Sequence, residues 1–217
     1  MQGIVAPRAS PRRPVTRPVP RERQYPLPVL AGFFALPFVL GVALYFAHPE
    51  VLGWGPWADP PELAAALAVA LALRPEYLTA SRWRAPPPVL AAGIAAAYLL
   101  QSAFIRWDPV AKRHVHVSWP LFFAVVVVTP ILEELFFRAL LLRGAIYRLG
   151  VVWAVVIVDA AWAWGHPIAW IAAIQGLILC AVYLWADDSV GASAVCHASM
   201  NAILLFPQWS LFLLLRR

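Results

Sequence analysis

Apolar runs alternate with short polar or proline-marked breaks along the whole chain. They fall near 27–47, 61–73, 87–105, 117–143, 150–166, 168–186, 189–206 and 208–215, with breaks such as Asp59-Pro60-Pro61 and Pro86-Pro87-Pro88. A bilayer-crossing helix needs roughly 20 apolar residues, so most of these runs are long enough to span, while 61–73 and 208–215 are short for a full crossing. The pattern predicts an all-α, polytopic transmembrane helix bundle of about 7–8 membrane helices. Four regions follow from it: an Arg/Pro-rich tail over 1–25, N-terminal membrane helices over 26–116, core helices over 117–206, and a short apolar segment with a basic end over 207–217. No internal repeat divides the chain.

Composition supports the membrane reading. Of 217 residues 62% are hydrophobic and 13% charged, against about 45–50% and 25% in soluble domains. Mean hydropathy is +0.72. The formal charge of +6 raises the question of nucleic acid, and the placement of the charges answers it. Six arginines (Arg8, Arg12, Arg13, Arg17, Arg21, Arg23) are interleaved with prolines ahead of the first apolar run. That is the composition of a disordered, cytoplasm-retaining tail rather than a nucleic-acid arm. The run that follows is longer than a signal-peptide core and lacks a small-residue cleavage site, so it stays in the membrane.

With eight spans and the N-terminus inside, 14 of the 17 Lys+Arg fall at cytoplasmic ends, leaving Arg106, Lys112 and Arg113 outside. This bias predicts a multi-pass protein of the plasma (inner) membrane with both termini cytoplasmic. The basic stretch Arg106 to His116 and the acidic Asp187-Asp188 turn run against it. Lys112 is the sole lysine among the 17 basic residues, an arginine bias that points to a GC-rich, bacterial genome. Cys180 and Cys196 lie inside apolar runs without metal-ligand spacing and read as packing residues.

Ionisable groups in membrane helices are costly and mark interior or water-lined sites. Here they are Glu133, Glu134, Arg138, Asp159, His166 and His197, joined by the amide of Asn201. Glu134 and Arg138, at i,i+4, share a helix face and can pair, either beside a site or as buried polar glue. Glu133 then points elsewhere with no charge partner on its own helix, which suits a general base. Pro130 just before it can free backbone carbonyls. Asp159, Trp162 and His166 follow at i, i+3 and i+7 on one face. His166-Pro167 predicts that the helix stops there, leaving an imidazole at the edge of a cavity. Asp159 serves either to tune the site or as a structural group. Trp162 is either part of the site or lipid-facing. His197 and Asn201, at i,i+4, project from one face and can donate towards one point, the arrangement that holds a developing oxyanion. Gly191, Ala192, Ser193, Ala194, Ala198 and Ser199 around them allow close helix approach.

Taken together, Glu133-Glu134…Arg138, Trp162…His166 and His197…Asn201 resemble the CPBP intramembrane proteases, the family of the type II CAAX prenyl endopeptidases and bacteriocin-associated relatives. That family carries E-E-x-x-x-R, an aromatic-x-x-x-His and His-x-x-x-Asn on successive membrane helices. The resemblance covers roughly residues 117–206. Two departures are Trp162, where Phe is commoner, and the short connection after His166. The resemblance implies a glutamate-dependent endopeptidase in which Glu133 activates water with His166 assisting, while His197 and Asn201 stabilise the oxyanion. Glu134, Arg138, Asp159 and Trp162 support these groups from behind. No obligatory cofactor is implied. Zinc remains an alternative, with Glu133, His166 and His197 as three conventional ligands, although no H-E-x-x-H is present. The implied partners are the lipid bilayer and a membrane-anchored protein or peptide with a C-terminal sorting segment or lipid-modified tail. Two rivals stand beside the protease. A non-catalytic binding or immunity module would not need a general base. A proton-coupled carrier of inverted repeats would show similarity between its halves.

Overall fold

The computed structural model describes residues 83–107, 119–166, 168–207 and 214–215. The arginine-rich tail, the apolar runs near 27–47 and 61–73, residues 108–118 and nearly all of 208–215 lie outside the described residues. Among the described residues the chain is helical and contains no strand, as the apolar pattern predicts.

Helix α1 is Pro87–Trp107. Proline at its first turn costs no hydrogen bond, because that N–H would have no partner in the helix. A second helical rod begins at Trp119 and passes through five stretches: α2 (Trp119–Phe123), a π segment π1 (Ala124–Val128), α3 (Thr129–Glu133), a longer π segment π2 (Glu134–Leu142) and α4 (Arg143–Trp164). The residues at the junctions all keep right-handed helical angles, so the rod is continuous up to Leu149. Gly150, with φ 75° and ψ 166°, breaks α4 into two arms. Only glycine adopts such angles without strain. The apolar pattern places a break between 143 and 150, and the chain turns at the far edge of that interval, at Gly150.

Helices α5 (Ala169–Trp185) and α6 (Val190–Leu205) complete the described bundle. They are joined by a turn in which Asp187 and Asp188 are both left-handed. Ser189 caps α6 by accepting from the Ala192 backbone N–H at 3.2 Å, satisfying one of the donors that a helix start leaves open.

Contacts sort the helix ends into two levels. At the Gly150 end, Arg143 pairs with Asp188 at 3.4 Å and the Ser189 hydroxyl donates to the Arg84 carbonyl. At the opposite end, the Phe122 and Phe206 rings lie 6.0 Å apart. Exposed tryptophans mark both levels: Trp153 and Trp185 at the Gly150 end, Trp107, Trp119, Trp164 and Trp170 at the other. Two aromatic girdles separated by apolar helix are what a bilayer imposes, because indole rings settle at its interfaces. Helix α1, with 21 residues, is long and apolar enough to cross a membrane, and α5 and α6 are shorter apolar helices of 17 and 16 residues.

Candidate active site

Apart from His166, just beyond the second rod, every polar group singled out along 133–201 comes from that rod or α6, and the bundle folds these elements against each other. The Glu133 and Glu134 side chains leave the rod where α3 passes into π2. A π segment bonds i to i+5 and is favoured only where function or neighbours support it. Glu134, Arg138 and His197 are all buried. Glu134 Oε1 meets the Arg138 guanidinium at 3.2 Å and His197 Nδ1 at 3.1 Å. Arg138 also donates to the Gly176 carbonyl of α5 at 3.4 Å, and its guanidinium carbon stands 4.9 Å from the centre of the Trp162 ring. One cation thereby fixes a carboxylate, a neighbouring helix and an indole face.

Gly176 was not among the candidates read from the sequence. A Cβ at this position would overlap the Asp159 carboxylate and the Trp162 ring, so glycine is what lets α5 approach α4 closely enough for Arg138 to reach it. The only signal was an isolated glycine inside an apolar run. Asp159 lies buried in the same contact, and its Oδ1 has no hydrogen-bond partner among the described residues.

Glu133 is not the partnerless carboxylate that its own helix implied. The Trp162 indole N–H donates to Glu133 Oε2 at 2.6 Å, and His197 Nε2 stands 3.9 Å from the same oxygen. Both partners come from other helices, which helical spacing cannot reveal. Trp162 is 2% exposed, so its ring faces the interior of the bundle and not a lipid-facing belt. His166 sits just beyond α4, which ends at Trp164 as His166-Pro167 predicts. Its Nδ1 lies 2.8 Å from the Trp162 carbonyl, and its ring packs on the indole with centroids 4.2 Å apart. No hydrogen bond or ion pair joins His166 to Glu133 among the described residues. Trp162 links them instead, its carbonyl facing one and its indole N–H the other.

His197 and Asn201 project from α6, and each already has one partner on another element. Asn201 Nδ2 donates to the Val125 carbonyl at 2.8 Å. The reason lies in Pro130. Within π1 the Thr129 N–H bonds to the Ala124 carbonyl, so the next bond in that register would run from residue 130 to Val125. Proline has no N–H to give, and Asn201 supplies the missing donor from α6. The second hydrogen of its amide is left for another acceptor.

The chemistry of this arrangement is that of a buried carboxylate oriented by an indole donor, beside an imidazole whose other nitrogen is engaged by a second carboxylate. With Nδ1 donating to Glu134, His197 Nε2 carries a proton only as imidazolium. A zinc ion would need Glu133, His166 and His197 to converge. No group of three His, Cys, Asp or Glu side chains is placed to hold a metal ion among the described residues. The residues do not fit a zinc site, and no step is routed through one.

The described helices thus enclose a buried carboxylate–imidazole cluster between two levels of exposed tryptophans. Residues 115–203 match the family model described as Type II CAAX prenyl endopeptidase Rce1-like. This segment, which holds every site residue named above, is therefore similar to the type II CAAX prenyl endopeptidases, a family of integral membrane proteins. No curated protein matches the chain, and no solved structure does.

Proposed function

We propose that the chain hydrolyses peptide bonds of membrane-anchored substrates through a water activated by Glu133. The observation that carries this reading is the Glu133 carboxylate itself, buried in the bundle, oriented by the Trp162 indole at 2.6 Å and adjoining His197. With Oε2 engaged, Oε1 is available to a water. Glu133 takes the water's proton, the oxygen attacks the carbonyl carbon, and the tetrahedral oxyanion is met by the free amide hydrogen of Asn201 with His197 beside it. When the C–N bond breaks, the proton held by Glu133 passes to the leaving amine. His166 stands on the far side of Trp162, where it orients the substrate or relays that proton. Glu134, Arg138 and Asp159 act through the residues they hold: Glu134 sets the His197 ring, Arg138 sets Glu134 and Trp162, and Asp159 packs against Gly176. No cofactor enters these steps.

The family description names prenyl endopeptidases, and a lipid-modified tail or a C-terminal sorting segment is the substrate class that this reading carries over. The protein acts in the plasma (inner) membrane with both termini cytoplasmic. The test compares the termini of membrane proteins by mass spectrometry in cells expressing the wild type or Glu133→Gln at equal levels. The glutamine keeps the shape and loses the base, so a set of proteins is expected to retain a membrane segment only in the variant. Identical termini in the two cells would overturn the hydrolytic reading and leave a binding module.

A further inference from the structure

Helix α1 closes tightly on its neighbours at one level and stands away from them at another. Near its start, a Cβ on Gly93 would come within 2.5 Å of Val182 and 3.3 Å of the Cys196 sulfur. Three turns later the helices leave a cavity of about 210 Å³ between Phe104 of α1, Ile171, Ala172 and Gln175 of α5, Leu204 of α6, and His166. Its walls are apolar except for the imidazole and the Gln175 amide. His166 belongs both to this cavity and to the Trp162 contact, so the space adjoins the residues proposed to perform hydrolysis.

Volume decides what the cavity holds. An apolar cavity of roughly 150 Å³ accepts benzene, and sites for drug-sized ligands begin near 300 Å³. About 210 Å³ therefore matches one large aliphatic or aromatic side chain. Because lipid is itself apolar, a side chain moving from bilayer to cavity gains little from leaving its surroundings; discrimination rests on fit and close contact.

We infer that this cavity is the specificity pocket for a single large apolar side chain beside the scissile bond, with Phe104, Ala172 and Leu204 setting its size. The inference rests on the hydrolytic reading above. Phe104 and Leu204 lie outside residues 115–203, the segment the family model matches, so the pocket is partly this chain's own. The His166 and Gln175 polar groups stand at its wall, where they meet the backbone of the bound residue.

The test reads cleavage sites in cells carrying the full chain as wild type, Glu133→Gln, Ala172→Phe or Phe104→Ala. Sites that depend on Glu133 are expected to carry Leu, Ile, Met or Phe at one fixed flanking position. Ala172→Phe fills the cavity and should shift that position towards Ala, Val or Gly. Phe104→Ala enlarges it and should shift the position towards larger residues. A missing or extra methylene in such a pocket is worth about 10–200-fold in selectivity, so the large-to-small ratio should move by at least 10-fold. Unchanged flanks in variants that accumulate to wild-type levels would overturn the pocket while leaving hydrolysis standing. No Glu133-dependent sites at all would overturn both. If Ala172→Phe fails to accumulate, Phe104→Ala decides the matter, since it removes bulk at a half-buried position.

Discussion

At the end of the bundle that holds Gly150, neighbouring helices are tied by polar contacts over short turns: Arg143 to Asp188 at 3.4 Å, and Ser189 to both the Arg84 carbonyl and the Ala192 N–H. At the opposite end, His166, Phe104 and Leu204 surround an open apolar space. Between the two lies the Glu134–Arg138–His197 cluster, buried and connected to three elements. The difference teaches a division of labour: the tied end fixes the relative positions of α4, α5 and α6, so that the other end can hold a gap beside the proposed catalytic groups without collapsing. Substitutions in the two regions should therefore fail in different ways, by loss of folded protein near the tied end and the central cluster, by loss of turnover towards the gap.

The largest effect is expected at Arg138. Arg138→Ala strands Glu134, whose side chain is fully buried, and removes both the cation over Trp162 and the link to α5. Breaking one member of a buried pair costs about 3–5 kcal/mol. The amount of folded protein recovered in detergent, and its thermal stability, should fall more than the activity of each folded molecule. Normal yield with lost activity would move Arg138 into the reacting shell and erase the contrast between the central cluster and the open end.

Asn201 sharpens the same comparison from the catalytic side. One hydrogen of its amide covers the Val125 carbonyl, and the other is the proposed oxyanion donor. Removing such a donor lowers turnover by roughly 100–1000-fold, and uncovering one backbone carbonyl costs about 1–3 kcal/mol. Asn201→Ala should thus show a large fall in turnover with a modest loss of stability. A stability loss with unchanged turnover would confine Asn201 to its role beneath Pro130.

How much of this was legible beforehand depends on whether the interaction lies within one helix. The Glu134–Arg138 pair obeys i,i+4 spacing, and the stop after Trp164 follows from His166-Pro167; both are local and readable. Pro130 announced a freed carbonyl, but the residue that covers it, Asn201, lies 76 positions away. The Trp162 donor to Glu133 and the approach of α5 at Gly176 depend on how helices are turned against each other, which apolar periodicity leaves open when most faces of a helix are apolar. The π register of 134–142 had no sequence signal, since ordinary helix formers fill it. Phe104 looked like any aromatic in an apolar run, because a cavity belongs to the packing of three helices and to none of them alone.

The smallest effect concerns the tied end and is read in pH. Asp188 lies in the turn after α5, with a side chain 10% exposed and 3.4 Å from Arg143. Burial pushes its carboxyl above the ordinary value; the Arg143 guanidinium opposes this and Asp187 adds to it, with a net rise. A carboxyl whose folded value is raised favours the folded state below its unfolded value, about 3.9, and that contribution is lost as pH rises through the folded value. Asp188→Asn has no charge to lose, and asparagine tolerates the left-handed φ of 62° found here, which keeps the turn intact. Wild type should therefore lose stability relative to Asp188→Asn as pH is raised from about 4 towards 7, measured by thermal unfolding in detergent, while cleavage per folded molecule stays the same. The opposite slope would mean that the Arg143 pair outweighs burial, making this ion pair the main tie at the Gly150 end rather than one contact among several.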